Sequence, residues 1–563
     1  MTYTTQLDIM VPMRDGVRLA TNVWMPDGPP APVLLVRTPY GKDLFPDPPM
    51  VPVRTALLEA GYGVVWQDVR GRFRSEGEGF EPFLSEAQDG EDTARWIAEQ
   101  PWCNGKIGAY GASYLGCVQW QTASRSPAGF TAIAPHFAAT DSYYAPWFSE
   151  GGAMSWHLVQ TWSGFHPFTK DLTSMESYIA AMEAAEKMVD LLPMADRPLI
   201  EQNAAWWSHW MEHTSHDDYW KRMSVSEHPE LVTTPALNVG GWFDLYVNNT
   251  ANTFRLMRER AGSEDARSGQ RLVIGPWDHV SQSGSYPDLD LGADASDASS
   301  GIEQFHRRFF DHYLRGDGNA LDEDARVKIF VMGANVWRDE VDWPLPDTRY
   351  ASYYLDGAGH AATASGDGLL TENLPRVNAY DEYEYDPADP VRSIGGRILK
   401  WGECGPLDQS EVEQRSDVLC FSTPPLGHPV EVTGHISLVL NVTSSVVDTD
   451  FTGKLVDVHP DGRAIYLTDG ILRTRYRDAL DAPTLLTPGE VYELEIDLSV
   501  TSNVFLPGHR IRLEVSSSNY PRFDRNSNTG GHITDETEFA VATNRVLHGP
   551  AHPSRLILPL INR

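Results

Sequence analysis

Short apolar runs recur through the first part of the chain, each followed by a stretch of helical pattern. This alternation restricts the fold more than any other feature. "PVLLVRTP" carries the apolar run Val33 to Val36 and is stopped by Pro39; "GYGVVWQD" ends at Asp68; "KIGAYG" and "FTAIAP" follow. Between them, "DGEDTARWIAEQ" has helical character, with Asp89 the expected cap and further acidic residues in the first turn. Strand, helix, strand, helix at this spacing predicts a parallel sheet with helices on both faces.

The pattern changes near Tyr144. "TSMESYIAAMEAAEKMVDLL" sets Met175, Ile179, Met182, Ala185 and Val189 at helical intervals, and Thr173 with Glu176 forms an expected capping box. The stretch to about Pro229 is rich in Trp, Met and His and reads as helical. Strands resume in "TPALNVGGWFD" and "RLVIGPWDH". A helical block placed between strands of one sheet is the pattern of a cap. After "DWPLPDTRY" strict alternation takes over. Tyr492, Leu494, Ile496, Leu498 and Val500 share one face, as do Ile436, Leu438, Leu440 and Val442, and Ile511, Leu513 and Val515. Such strands between Pro and Gly turns predict an antiparallel sandwich. At 563 residues the chain exceeds a single core. The expected divisions are 1–143 (first part of an α/β domain), 144–230 (helical cap), 231–348 (second part of the α/β domain) and 349–563 (β-sandwich).

One serine stands out in "KIGAYGASYLGC". Ser113 follows an apolar strand, lies among Gly111, Ala112 and Gly116, and precedes a helix. That is the local pattern of a nucleophile elbow in an α/β-hydrolase, where the turn is too sharp for bulky neighbours. It departs from G-x-S-x-G, because Leu115 holds the second glycine position and Gly116 comes one later. A turn serine without chemistry is the competing reading. A lone serine is a weak nucleophile and needs a base, which in turn needs an orienting acid. The fold places them in the order serine, acid, histidine, beyond the ends of later strands. Asp244 ends "ALNVGGWFD" and His279 ends "RLVIGPWDH". Separately, each also reads as a helix cap or a packed loop residue.

Longer motifs now carry a resemblance. "VPMRDGVRLA", "VLLVRTPY", "QDVRGRFRSEGE", "GASYLG", "GGWFD", "GPWDH", "FFDHYLRG", "TDFTGKLVDVHPDGRAI", "NVFLPGHRIRLEVSSSN" and "DRNSNTG" run nearly end to end. The chain resembles the cocaine-esterase-like branch of the CocE/NonD hydrolases, relatives of the X-prolyl dipeptidyl aminopeptidases and the α-amino acid ester hydrolases. The resemblance implies an α/β-hydrolase domain with an inserted helical cap and a C-terminal jelly-roll-like sandwich. It implies Ser113 as nucleophile, His279 as base and Asp244 as its partner. It also implies an oxyanion hole from the Tyr40 hydroxyl of "TPY" and the Tyr114 backbone N–H. Trp147 and Trp162 match aromatic positions that line the acyl pocket, and Tyr246 is expected to join them. The chain departs from the pattern at "GGRILKWGE", where Lys400 or Trp401 replaces an apolar and aromatic pair, which leaves the acyl preference open.

The expected activity is a serine esterase acting on small aryl or bulky acyl esters, without cofactor or metal. An amidase or aminopeptidase of the same fold is the alternative, with Asp278 as the anchor for a substrate amine. A third reading, from another class, is a non-catalytic protein that binds through its sandwich. "HWMEH" puts His209 and His213 four apart with His216 nearby, but Glu212 stands in the wrong register for a zinc protease motif. His312 lies in a helical run and reads as structural. A net charge of −33, spread along the chain, opposes binding to nucleic acid or anionic membrane. Cys103, Cys117, Cys404 and Cys420 show no paired spacing, which points to buried free thiols. No secretion signal or spanning run is read, and a cytoplasmic location is expected. A sandwich face of this size can support a homodimer.

Overall fold

The computed structural model describes residues 2–44, 54–144, 146–165 and 174–563. Ten strands form the first sheet: β1 (Tyr3–Pro12), β2 (Arg18–Pro26), β3 (Ala31–Thr38), β4 (Gly63–Asp68), β5 (Cys103–Ala112), β6 (Phe130–His136), β7 (Leu237–Phe243), β8 (Arg271–Asp278), β9 (Val327–Val331) and β10 (Val336–Glu340). Their order across the sheet is β1-β2-β4-β3-β5-β6-β7-β8-β9-β10. Neighbours from β4 to β9 pair in parallel, and antiparallel strands close both edges. The apolar runs are the central strands: every residue of β3, β4 and β7 is buried. Helices cover both faces, as burial of every position on these strands requires.

Two helix starts differ from expectation. The helix that follows β4 begins at Glu86, so Asp89 lies inside its first turn rather than at its cap. The Asp89 carboxylate instead accepts from Arg70 at 2.7 and 2.9 Å, a partner distant in sequence that outcompetes a local capping role. The helix Met175–Glu186 is capped by Ser174, whose hydroxyl accepts from the Ser177 N–H at 3.2 Å while Ser177 Oγ accepts in return from the Ser174 N–H at 3.1 Å. Thr173 lies outside the described residues.

Between β6 and β7 the chain forms the helices Trp156–Phe165, Met175–Glu186 and Trp206–Glu212 with shorter turns. Trp156, Trp162, Trp206, Trp207, Trp210 and Trp220 are all buried there. This tryptophan-rich core packs over the C-terminal edge of the parallel strands.

Eleven further strands form the C-terminal sandwich. Val430–Ser444 pairs antiparallel with Tyr492–Phe505, and the alternating apolar faces read from the sequence meet in one core with Ile511, Leu513 and Val515. The sandwich grips the start of the helical insertion. A Cβ on Gly151 would lie 2.0 Å from the Ile471 carbonyl, so only glycine permits this approach. The Arg473 N–H donates to the Gly151 carbonyl at 3.0 Å. The buried Arg473 guanidinium pairs with Asp450 at 2.9 Å and Asp524 at 2.8 Å, and Asp524 accepts from the Met154 N–H at 2.7 Å.

Behind the sheet, His136 and His306 are buried with their Nε2 atoms 2.6 Å apart. His306 Nδ1 lies 2.8 Å from the Ile302 carbonyl and must carry a proton to donate there. Its Nε2 therefore accepts from the Nε2–H of His136, and both rings are neutral. Burial lowers the His306 imidazole to about 4 and holds His136 well below its ordinary value.

Two outcomes follow. Arg473→Met strands Asp450 and Asp524 as buried charges and should cost about 3–5 kcal/mol in urea unfolding; a loss within experimental error would contradict this. The histidine pair acts through pH. Its contribution is full above the unfolded histidine value of about 6.5. As pH falls from there toward 4 the unfolded chain takes up protons that the folded pair refuses, and stability declines. His306→Gln should make that decline shallower by about one proton's worth in unfolding free energy measured against pH. Superimposable profiles would remove the pair from the acid response.

Candidate active site

The elbow is built from its glycines outward. Ser113 has φ 61° and ψ −129°, a conformation that side chains rarely adopt. Its N–H donates to the His136 carbonyl of β6 at 2.9 Å, and its own carbonyl accepts from the N–H groups of Gly116 and Cys117 at 2.8 and 2.9 Å. Gly111, at φ 137°, faces Leu115; a Cβ there would meet the Leu115 Cβ at 2.7 Å. A Cβ at Gly116 would meet Ala138 Cβ at 2.7 Å and the His136 carbonyl at 2.8 Å. The helix Tyr114–Ala123 must therefore touch β6 at position 116, which explains why the second glycine falls after Leu115.

Asp244 and His279 arrive from β7 and β8, adjacent parallel strands. Their close approach needs Gly241, where a Cβ would lie 2.4 Å from the Trp277 carbonyl. Asp244 is wholly buried. One carboxylate oxygen accepts from the Tyr246 N–H at 2.7 Å, and the other lies 2.5 Å from His279 Nδ1. His279 Nε2 then lies 3.0 Å from Ser113 Oγ. The carboxylate fixes the proton on Nδ1, so Nε2 is the nitrogen able to take a proton from the serine. The line from carboxylate to imidazole to hydroxyl is complete.

Tyr40 stands on the loop after β3. The Trp162 indole N–H donates to its hydroxyl oxygen at 3.1 Å. An indole only donates, so the Tyr40 proton remains available on the side of Ser113. Burial pushes the Tyr40 hydroxyl up to about 12, with Trp162 and Ser113 pulling it back, so it stays protonated at neutral pH. Arg72 supports this loop through Nε, which donates to the Pro39 carbonyl at 3.2 Å. Tyr114 begins its helix, where the backbone N–H has no intrahelical acceptor. Its ring is pinned by stacking on Phe83, 4.7 Å between centroids, and by a short hydrogen bond from its hydroxyl to Glu86. Arg37 in turn holds Glu86.

The cavity over Ser113 holds about 180 Å³. Trp147, Trp162, Leu158 and Tyr178 form its wall on the helical side, and Tyr246 and Leu245 close the other. Trp147 and Trp162 pack 5.0 Å apart, and Tyr246 lies 5.7 Å from the His279 ring. At "GGRILKWGE" the two side chains take different directions. Trp401 lines the cavity mouth, while Lys400 turns away to Glu186 at 3.1 Å and Glu403 at 2.7 Å. Asp278 does not line the cavity. One of its oxygens accepts from the N–H groups of Val280 and Ser281 at 2.6 and 2.8 Å, a local turn that shapes the loop bearing His279. The expected amine anchor at Asp278 thus stands off the described cavity lining, with its Oδ1 held by its own loop. Sequence reasoning missed Glu86, Phe83, Leu158 and Tyr178, whose roles exist only through contacts across the fold. His209 and His213 do not converge; they face Glu81 and Asp217 separately.

Residues 15–281 match the family model of the X-Pro dipeptidyl-peptidase (S15 family), and 319–557 match that of the X-Pro dipeptidyl-peptidase C-terminal non-catalytic domain. The chain is 45% identical to a cocaine esterase of Rhodococcus sp. (strain MB1 Bresler), over 100% of this chain and 99% of that one. Among solved structures, an aminopeptidase from a marine sediment Thaumarchaeota archaeon superposes with TM-score 0.83 at 27% identity, covering 100% of this chain and 96% of that one. An α-amino acid ester hydrolase superposes with TM-score 0.81 at 25% identity, covering 99% and 97%. No helix among the described residues is long and apolar enough to cross a membrane. The chain belongs to the CocE/NonD branch of the S15 family and is a serine hydrolase of the esterase type that works through an acyl-enzyme.

Proposed function

We propose that this enzyme hydrolyses small esters of aromatic or bulky carboxylic acids, with Ser113 as the nucleophile. The observation that carries this reading is the unbroken line Asp244–His279–Ser113, at 2.5 and 3.0 Å, opening into an aromatic cavity. His279 removes the Ser113 proton as the hydroxyl attacks the ester carbonyl. Asp244 orients the imidazole and stabilises the imidazolium that forms. The Tyr40 O–H and the Tyr114 N–H donate to the tetrahedral oxyanion. His279 then returns its proton to the departing alcohol. Water, activated by the same imidazole, releases the acid and restores Ser113.

The size and lining of the cavity support an aromatic acyl group. Apolar cavities of about 150 Å³ accept benzene, and this one is comparable. Among the described lining residues there is no carboxylate to receive a substrate ammonium. That favours esters over the N-terminal dipeptides that an aminopeptidase of this family would need. The relative named cocaine esterase supports an ester as the first substrate, and the aromatic lining points to a benzoate.

Two measurements test the reading. Steady-state kinetics on a benzoate ester and on an X-Pro anilide should favour the ester in kcat/KM by more than ~10²-fold, since an unpaired ammonium loses its hydration in this cavity. Faster turnover of the anilide would reverse the substrate assignment. Tyr40→Phe should lower kcat by about 10²–10³-fold with KM nearly unchanged, the cost of one oxyanion donor. Its stability should fall by only about 1 kcal/mol, for the hydrogen bond given up by Trp162. Normal kcat in a destabilised Tyr40→Phe protein would make the tyrosine structural.

A further inference from the structure

We propose that Asp141, His216 and Glu227 bind a divalent transition-metal ion, zinc in first place, that clamps together the two ends of the helical insertion. His216 Nε2 lies 3.8 Å from Asp141 Oδ2 and 3.9 Å from Glu227 Oε1. Both gaps are too long for hydrogen bonds. Zinc bonds to nitrogen and oxygen are about 2.0–2.2 Å, so two of them span such gaps. His216 is only 9% exposed, and its Nε2 is sealed from solvent without a hydrogen-bond partner. A buried ring nitrogen between two carboxylates, bonded to neither, is disposed as a metal ligand would be.

The surroundings hold the three groups in position. The rings of Tyr143 and Tyr144 lie 5.2 and 5.1 Å from the imidazole. Asp141 Oδ1 accepts from the N–H groups of Tyr143 and Tyr144 at 2.9 and 3.2 Å, and Oδ2 accepts the Ser226 hydroxyl at 2.8 Å, leaving Oδ2 a lone pair. Glu227 is partly exposed and leaves one side open for a water ligand. Lys221, which feels the charge of Glu227, is paired with Asp481 at 2.8 Å. One imidazole and two carboxylates suit zinc and its neighbours better than calcium or magnesium, which take oxygen ligands.

A second cluster, Asp457, His459 and His509, is already paired internally. His509 Nδ1 meets Asp457 at 2.8 Å, Asn503 donates to Asp457 at 3.4 Å, and the Arg463 guanidinium lies 3.4 Å from His459 Nδ1. The clamp has a clear place in the fold. Asp141 lies where the chain leaves β6 for the helices, and Glu227 lies where it returns. The Thr140 carbonyl already accepts from the Val225 and Ser226 N–H groups at 2.7 and 3.2 Å across this junction.

The test uses the full chain, stripped with chelator and desalted. Calorimetric titration with Zn²⁺, alongside metal analysis, should give one ion per chain and a raised melting temperature, and Co²⁺ should give a visible absorption band. His216→Gln should weaken zinc binding by more than about 100-fold and abolish both the band and the thermal shift, with ester hydrolysis at ambient temperature unchanged. Glu227→Gln serves as a second variant should His216→Gln fail to fold. Absence of stoichiometric binding, its retention in the variants, or its loss in His509→Gln instead would overturn the proposal and leave His216 as an ordinary buried histidine.

Discussion

The site depends on a backbone conformation that costs energy. Ser113 sits at φ 61° and ψ −129°, in a region that a serine enters at a cost of about 1–3 kcal/mol. The structure holds it there with three backbone hydrogen bonds and two close glycine contacts. The return is directional. The side chain stands clear of both the strand and the helix, and the first N–H groups of the helix Tyr114–Ala123 face the same space. His136 has two parts in this. Its carbonyl anchors the Ser113 N–H, and its ring is locked to His306 beneath the sheet. The elbow is therefore tied to a buried, neutral histidine pair.

The helical insertion completes what the sheet begins. Its Trp162 lines the cavity over Ser113 and donates to Tyr40, leaving that hydroxyl one proton and one direction in which to give it. The sandwich holds the insertion in turn, through the Arg473 ion cluster and the close approach at Gly151. Packing in the third region thus bears on the position of Tyr40, the proposed oxyanion donor, which belongs to the first. Removal of a group in this chain of contacts acts on position more than on chemistry.

The parallel sheet, the inserted helices and the sandwich were all legible in the sequence, because each follows from local periodicity. Ser113, Asp244 and His279 were legible as strand-end residues in a fixed order, and the structure brings them within hydrogen-bond reach. What failed was inference from neighbours alone. Asp89 looked like a cap until Arg70 reached it. Asp278 stands at the end of β8 as His279 does, yet it lies off the described cavity lining while the next residue reaches Ser113. Lys400 and Trp401 could not be told apart because adjacent residues point in different directions. Glu86 and Tyr178 carry no local signal at all. His216 was passed over with its neighbours in "HWMEH", since Asp141, the residue that gives it meaning, lies far back along the chain.

Covalent labelling reads the reactivity of Ser113 without reference to any substrate. Intact-protein mass spectrometry after treatment with a fluorophosphonate, followed by peptide mapping, reads which nucleophile the site has activated. The account predicts a single adduct per chain, on Ser113, appearing in step with the loss of ester hydrolysis and missing from His279→Ala. Inactivation with the adduct on another residue, or full labelling of Ser113 without the imidazole, would contradict it.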